Sequence, residues 1–471
     1  MNTSTSENNF DLAVVGAGSA GFSAAITAAE QGAKVVLVGY GTIGGTCVNI
    51  GCVPSKTMIR AAETLHQAKA AGRFQGIEAS ARISDWSKIM ADKTTLVTEL
   101  RQAKYIDVLP SYDSVTYREG KAQIVEGGIK VDDIHIRVNK VIIATGSSAS
   151  LPPIKGIDTV PYLTSTTALE IDHLPESMIV IGGGVIGCEL GQMFARMGSK
   201  VTILCRSHLL PSEEPEVSKA LEEALVAEGI KVECGAVYQS ITADGGICLG
   251  YEKSGRHHDL VAEQVLVATG RRPNSAGLGL ENMGIDLLSN AGIKVDSYMQ
   301  TTRKGVYAVG DVTGRDMYVY MAAYGAKLAA HNALNSGDQK EYDDSVMPRV
   351  TFTDPQVASV GLTEAQARNK GYDVKTSVLG LEHVPRALAA RDMRGLIKLV
   401  AEKVSGKLIG ASIIAPEGAD SIQTAAIAIK VGMTNEQLGA MIFPYLTTVE
   451  GFKLAAQTFE KDVSKLSCCA G

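Results

Sequence analysis

Apolar positions along the chain fall in short unbroken runs, each closed by glycine and followed by a stretch of helical period. The run at 11–15 predicts a strand, Gly16-Ala-Gly18-Ser-Ala-Gly21 a turn, the alanine-rich stretch to about residue 31 a helix, and 34–38 a second strand. The same order recurs: a strand over 178–181, Gly182-Gly-Gly184-Val-Ile-Gly187, a helix through about residue 197, and a strand over 200–204. Two further apolar strands end alike, Val141-Ile-Ile-Ala-Thr-Gly146 and Val265-Leu-Val-Ala-Thr-Gly270, and read as returns of the chain at domain edges.

The two strand, glycine turn, helix, strand units imply two nucleotide-binding domains. Glycine triplets are common in any glycine-rich chain, and a bare tight turn is the alternative. In this context they let backbone approach a pyrophosphate at a helix N-terminus, where free N–H groups and the helix dipole favour the anion. Prolines at Leu151-Pro152-Pro153 predict one linker and Arg271-Arg-Pro-Asn274 a second. A short strand over 306–311 ends in Gly310-Asp311, which offers a carboxylate to a ligand hydroxyl. From residue 346, strands such as 395–400 alternate with helices such as 421–431 without any glycine fingerprint, so this block reads as a separate α+β domain.

Composition narrows the class. At roughly 150 residues per domain, 471 residues predict about three domains. With 45% apolar and 20% charged residues, and no uninterrupted apolar stretch of membrane-spanning length, neither disorder nor a membrane span is expected. Lys and Arg (45) against Asp and Glu (51) give a net charge of -6, with signs interspersed, which argues against a nucleic-acid partner. Residues 1–9 are polar and lack the pattern of a signal peptide, so a cytoplasmic location is expected. In a reducing compartment the eight cysteines point to redox or metal chemistry rather than stapling.

An acidic residue for the ribose hydroxyls is expected about 20 residues after such glycine turns. Here Gly39 stands at that place in the first copy, and Cys205 followed by Arg206 in the second. Losing a carboxylate and gaining a guanidinium suits the 2′-phosphate of NADPH, although a solvated surface Arg is the plain alternative. Gly39 supplies no side chain to an adenosine ribose.

The most specific signal is Gly44-Gly45-Thr46-Cys47-Val-Asn-Ile-Gly-Cys52-Val-Pro54-Ser-Lys56. Four intervening residues, one helical turn and a little more, are expected to bring both sulfurs to one face. Beside a helix N-terminus such a pair is a redox-active disulfide or a soft-metal clamp, and two buried structural cysteines are the alternative.

Gly44 to Lys56 resembles the redox site of the flavin-dependent pyridine nucleotide-disulfide oxidoreductases, the family of glutathione reductase and dihydrolipoamide dehydrogenase, and the resemblance covers nearly the whole chain. It implies an α/β fold: two Rossmann-like nucleotide-binding domains plus a C-terminal α+β dimerisation domain. The segments would be 1–150 and 273–345 for FAD, 151–272 for NAD(P)H, and 346–471 for the dimer interface. The implied FAD contacts are Gly16, Gly18, Ala20, Gly21, Gly45, Thr46, Lys56, Ala144, Thr145, Gly146 and Asp311; those for NADPH are Gly182, Gly184, Gly187, Arg206 and Gly270. By the same resemblance Lys56 and Glu189 would pair near the flavin, Cys52 would lie against the isoalloxazine, and Cys47 would be the exchange thiol.

The C-terminus selects within the family. Disulfide-reducing members carry a His five residues before a Glu, donated across the dimer; here Glu450 matches and Tyr445 replaces the His. A phenol with a reference pKa near 10 is a poor proton shuttle at neutral pH, so a disulfide substrate is not expected. Cys468 and Cys469 are adjacent near the chain end, where two thiolates suit one soft cation better than a strained ring, unless the pair is accidental. This ending resembles the members that reduce Hg(II), which implies capture by Cys468 and Cys469 of one subunit of a homodimer and transfer to Cys47 and Cys52 of the other. NADPH would supply electrons through FAD, releasing elemental mercury.

In that branch Tyr105 and Tyr445 would line the metal site, although spacing alone reads Tyr105 as packing. Cys188, Cys205, Cys234 and Cys248 show no ligand spacing and read as buried small hydrophobes, and the histidines form no zinc pattern with them. No Gly-Met-Thr-Cys-x-x-Cys segment precedes Phe10, so metal delivery is expected to rely on the tail pair or small thiols. A disulfide reductase such as dihydrolipoamide dehydrogenase and a non-catalytic metal-sequestering flavoprotein stand as alternatives.

Overall fold

The computed structural model describes residues 10–463. The chain groups into two units, each made from three stretches. The first takes the described residues up to Ser55, Ser87–Ser150 and Gly270–Asp343. The second takes Lys56–Trp86, Leu151–Thr269 and the described residues from Asp344 on.

The first unit is built on a five-stranded parallel sheet in the order Val306–Ala308, Val141–Ile143, Leu12–Val15, Val35–Gly39, Val115–Glu119. Its three inner strands are buried on both faces, as their uninterrupted apolar runs require. The helix Ser19–Glu30 packs its alanines against Val319–Leu334, whose Ala326, Ala329 and Ala330 are fully buried. Small side chains on both partners allow that close approach. A three-stranded antiparallel sheet of Ala122–Val125, Gly128–Val131 and Ile134–Arg137 packs Ile124, Ile129, Val131 and Ile136 on the opposite face of the main sheet.

The second unit carries a four-stranded parallel sheet in the order Lys231–Cys234, Lys200–Cys205, Ser177–Ile181, Gln264–Val267, with the helix Val185–Met197 as its crossover. A separate five-stranded sheet, wholly antiparallel, runs Arg349–Thr351, Gln356–Gly361, Leu408–Ala415, Leu396–Glu402, Val374–Gly380. The helices Gly418–Lys430 and Glu450–Gln457 cover it through Ile422, Ala425, Phe452 and Ala455. The fold is thus α/β, with parallel sheets beside an α+β C-terminal block. Arg271–Pro273, read from sequence as a linker, instead pairs antiparallel with Ser147–Ala149. Among the described residues no helix is long and apolar enough to cross a membrane.

Candidate active site

Each glycine turn opens a helix and is closed to side chains. Gly16 has φ +118°, and a Cβ there would strike the carbonyl of Ala144; one on Gly21 would strike the carbonyl of Gly16. Gly182 and Gly187 repeat this geometry against Ala268 and against each other. Gly18 and Gly184 precede the first helical residues, Ser19 and Val185, and leave the N-terminal N–H groups uncovered by any side-chain cap. Ala20 is buried in the first turn. The two turns therefore present bare backbone donors, which fits a pyrophosphate.

The Gly44-Gly45 stretch locks onto the first turn. Gly44 N donates to Ala17 O at 2.9 Å, and a Cβ on Gly45 would sit 2.6 Å from Gly18 Cα. Both glycines have positive φ, so the chain reverses here before Thr46 and Cys47. Cys47 lies in the short helix Gly45–Ile50, and Cys52 opens the next helix, Cys52–Lys69. The expected single helical face is therefore corrected. Gly51 (φ −128°, ψ −111°) breaks the helix between the cysteines, and its Cβ position, 2.9 Å from Thr46 O, admits no side chain. Cys52 consequently stands in the first turn of the second helix, where the helix dipole favours an anionic sulfur. Both cysteines are partly exposed.

Tyr105 lies in the same unit as the two cysteines. It lies in the wide turn Gln102–Ile106, a helix irregularity of the kind often found at functional positions. Its hydroxyl is 3.0 Å from Ser19 Oγ, its ring meets Phe22 edge-on at 4.8 Å, and burial pushes its pKa up, with further upward contributions from Cys47 and Cys52. The ring packs against the core of the first unit, as the spacing reading expects, and its hydroxyl is held at Ser19.

Lys56, one turn beyond Cys52, donates from Nζ to Glu189 Oε2 at 2.7 Å. Glu189 is 4% exposed, and its Oε1 accepts from Phe352 N at 2.8 Å. The Lys56 ammonium also lies 4.9 Å above the Phe352 ring. In the first unit Asp311 Oδ2 accepts from Ser147 Oγ at 2.6 Å, and Arg271 Nε lies 3.8 Å from the same oxygen. Ala144 N donates to Val15 O at 2.7 Å. Thr145 and Gly146 are tied to Asn274, whose backbone N donates to Gly146 O at 2.9 Å. Ser147, Arg271 and Asn274, missed in sequence, form this frame, and no local sequence signal marks them because their partners lie on distant stretches.

Gly39 closes the strand beneath Tyr117. A Cβ there would meet Tyr117 Oη at 2.6 Å and Ala17 Cβ at 2.8 Å, so the expected acidic position is filled by a phenol from the neighbouring strand. Arg206 is exposed just past Lys200–Cys205, and Gly270 turns the chain with φ +114° to accept from Ser150 N at 3.0 Å. Tyr445 is 55% exposed, while Glu450 is buried and accepts from Leu446 N at 3.3 Å. Cys468 and Cys469 lie outside the described residues. Of the cysteines read as buried hydrophobes, Cys188 and Cys205 are buried, but Cys234 and Cys248 are partly exposed.

Residues 10–337 match the family described as "Pyridine nucleotide-disulphide oxidoreductase", and 347–456 match its dimerisation domain. The chain is 45% identical over 468 residues to a mercuric reductase of Lysinibacillus sphaericus, covering 99% of this chain and 85% of that protein. It is 44% identical over 472 residues to one from Streptomyces lividans, covering 98% of each. The HOCl-induced flavoprotein disulfide reductase of Escherichia coli superposes with TM-score 0.85 at 28% identity, over 96% of this chain and 99% of that one. The chain belongs to the pyridine nucleotide-disulphide oxidoreductase family, within the branch formed by the mercuric reductases.

Proposed function

We propose that the protein reduces Hg(II) to elemental mercury with NADPH, using bound FAD and the Cys47, Cys52 pair. The observation that carries this reading is the partly exposed Cys47, Cys52 pair, split between two helices behind the first glycine turn, in a chain 45% identical to a mercuric reductase over almost its whole length. The overall reaction balances as Hg(II) plus NADPH giving Hg(0), NADP+ and one proton. FAD, when bound, supplies the two-electron relay between nicotinamide and sulfur.

The chain's own residues divide the remaining work. Gly16, Gly18, Ala20, Gly21, Gly45 and Thr46 hold the flavin pyrophosphate, and Ala144, Thr145, Gly146 and Asp311 border the same cofactor. Gly182, Gly184, Gly187 and Gly270 accommodate NADPH, with Arg206 on its 2′-phosphate. Cys47 and Cys52 take Hg(II) by thiol exchange, in which each incoming thiolate displaces a small-thiol ligand from the metal. Cys468 and Cys469 of a partner subunit deliver the ion, with Tyr445 beside the path. Lys56 and Glu189 hold a charge pair at the flavin, and no imidazole is needed, since metal exchange releases thiols without cleaving a disulfide. The active unit is a cytoplasmic homodimer with shared sites, divided into segments 1–150 and 273–345 for FAD, 151–272 for NADPH and 346–471 for the interface.

Purified holoenzyme given NADPH, Hg(II) and excess small thiol is expected to consume NADPH and release mercury vapour in equal amounts. Mercury bound without vapour would establish sequestration instead, and oxidation of dihydrolipoamide in place of mercury reduction would establish a disulfide reductase.

A further inference from the structure

Cys205 and Cys234 end neighbouring parallel strands and are paired in register. Residues so paired present their side chains to the same face of the sheet, and here the two sulfurs lie 3.3 Å apart. Cys205 is 4% exposed, whereas Cys234 is partly open and has Glu222 Oε2 3.8 Å from its sulfur. Gly183 of the second glycine turn packs on the inner thiol: a Cβ there would lie 2.8 Å from Cys205 Cβ and 3.3 Å from its sulfur. The pair is thus a dithiol with one sheltered and one accessible sulfur, backed by a carboxylate, and none of the chemistry assigned to Cys47 and Cys52 uses it.

We propose that Cys205 and Cys234 form a second binding site for a thiophilic d10 cation, Hg(II) in the first instance. With two sulfur ligands Hg(II) favours a near-linear S–Hg–S arrangement, so the sulfurs, 3.3 Å apart in the metal-free protein, must move apart to admit the ion. Rotation of the partly open Cys234 side chain supplies that movement while Cys205 stays under Gly183. The exchange is balanced without any redox step: two metal–sulfur bonds to carrier thiols break, two bonds to Cys205 and Cys234 form, and the two protons leave on the carrier thiols. Burial holds both thiols protonated, Cys205 up to about 12, so the cation must displace the protons and the site loads slowly compared with an exposed thiolate pair. The site stands independently of the proposed reductase activity, because it requires metal binding and no turnover.

The test is a count of bound metal. Reduced holoenzyme without NADPH is loaded with Hg(II) and dialysed against excess cysteine, and mercury is measured by atomic absorption. Wild type is expected to retain one more equivalent per chain than Cys205→Ser/Cys234→Ser, and equal retention would overturn the site. Should the double variant fail to fold, Cys234→Ser alone leaves the buried thiol in place and is expected to lose the same equivalent. Alkylation followed by mass spectrometry gives a check on unmodified protein: Hg(II) is expected to slow iodoacetamide labelling of Cys234 at least tenfold, and unchanged labelling would refute the assignment. Because NADPH is omitted, failure here says nothing against mercury reduction, and failure of vapour release says nothing against this site.

Discussion

The hydroxyl of Tyr105 lies 3.0 Å from Ser19 Oγ, joining the wide turn Gln102–Ile106 to the first residue of the helix that follows the first glycine turn. Burial is the main reason its pKa stands above 10, and the two nearby sulfurs push it the same way. At neutral pH the phenol is therefore protonated and able to donate a hydrogen bond. Tyr105→Phe removes that donor and keeps the ring against Phe22. Mercury-dependent NADPH oxidation is expected to fall about tenfold, the size of one hydrogen bond to a charged partner, while stopped-flow flavin reduction by NADPH stays at the wild-type rate. In wild type this donor is lost only as pH rises beyond 10, so the Tyr105 contribution is constant through the neutral range. An equal drop in both rates would assign Tyr105 to structure alone.

Lys56→Met leaves Glu189, 4% exposed, with the Phe352 N–H as its remaining hydrogen-bond partner among the described residues. Fully buried pairs cost about 3–5 kcal/mol to break from one side; with Lys56 33% exposed, a loss of about 1–3 kcal/mol is expected. Urea denaturation followed by tryptophan and flavin fluorescence measures it. Glu189→Gln in the same background removes the stranded charge and is expected to restore part of the loss.

Gly39→Ala tests the crowded strand end. The added methyl must displace the Tyr117 hydroxyl or Ala17, and Ala17 sits inside the first glycine turn. A loss of about 1–3 kcal/mol, typical of overpacking, is expected, together with faster release of flavin on dilution. Gly39→Ala/Tyr117→Phe removes the phenol oxygen and is expected to recover part of the stability; no recovery would locate the clash at Ala17 and the retained ring edge.

His66 reports on acid stability. Burial chiefly, and the nearby Arg196, lower its pKa below 6.5, although Glu228 opposes them. A histidine lowered in the folded state contributes its full share of stability above pH 6.5 and loses it as pH falls through the folded value, because the unfolded chain binds the proton first. His66→Gln is therefore expected to flatten the decline in unfolding free energy between pH 7.5 and pH 5.5, measured by urea titration at each pH. An unchanged slope would assign that decline to other groups.

Much of the first glycine turn was legible because its constraints are local. Gly16, Gly18 and Gly21 are spaced for a turn into a helix, and the collisions that forbid a side chain at Gly21 lie within five residues of it. The same holds for Gly187, which meets Gly182, whereas Gly16 and Gly182 themselves meet the distant Ala144 and Ala268. Cys47 and Cys52 were legible as a reactive pair but not as members of two helices. The break at Gly51 depends on a contact with Thr46 that a residue-spacing argument does not weigh.

The remaining features join residues distant in sequence. Tyr117 reaches over Gly39 only because Val115–Glu119 is the parallel neighbour of Val35–Gly39, and Asp311 meets Arg271 and Ser147 only once two other stretches return to the sheet. Cys205 and Cys234 are 29 residues apart and were read as separate packing cysteines until strand register set their sulfurs face to face.

Alternation of apolar runs with glycine turns determined by itself that this chain folds around parallel strands with bare helix N-termini, since those choices follow from backbone sterics over a few residues. Which phenol meets Ser19 at the first helix, and which thiols become neighbours, was decided by tertiary structure, because parallel register and the packing of distant turns are set by the burial of whole sheets rather than by any local spacing.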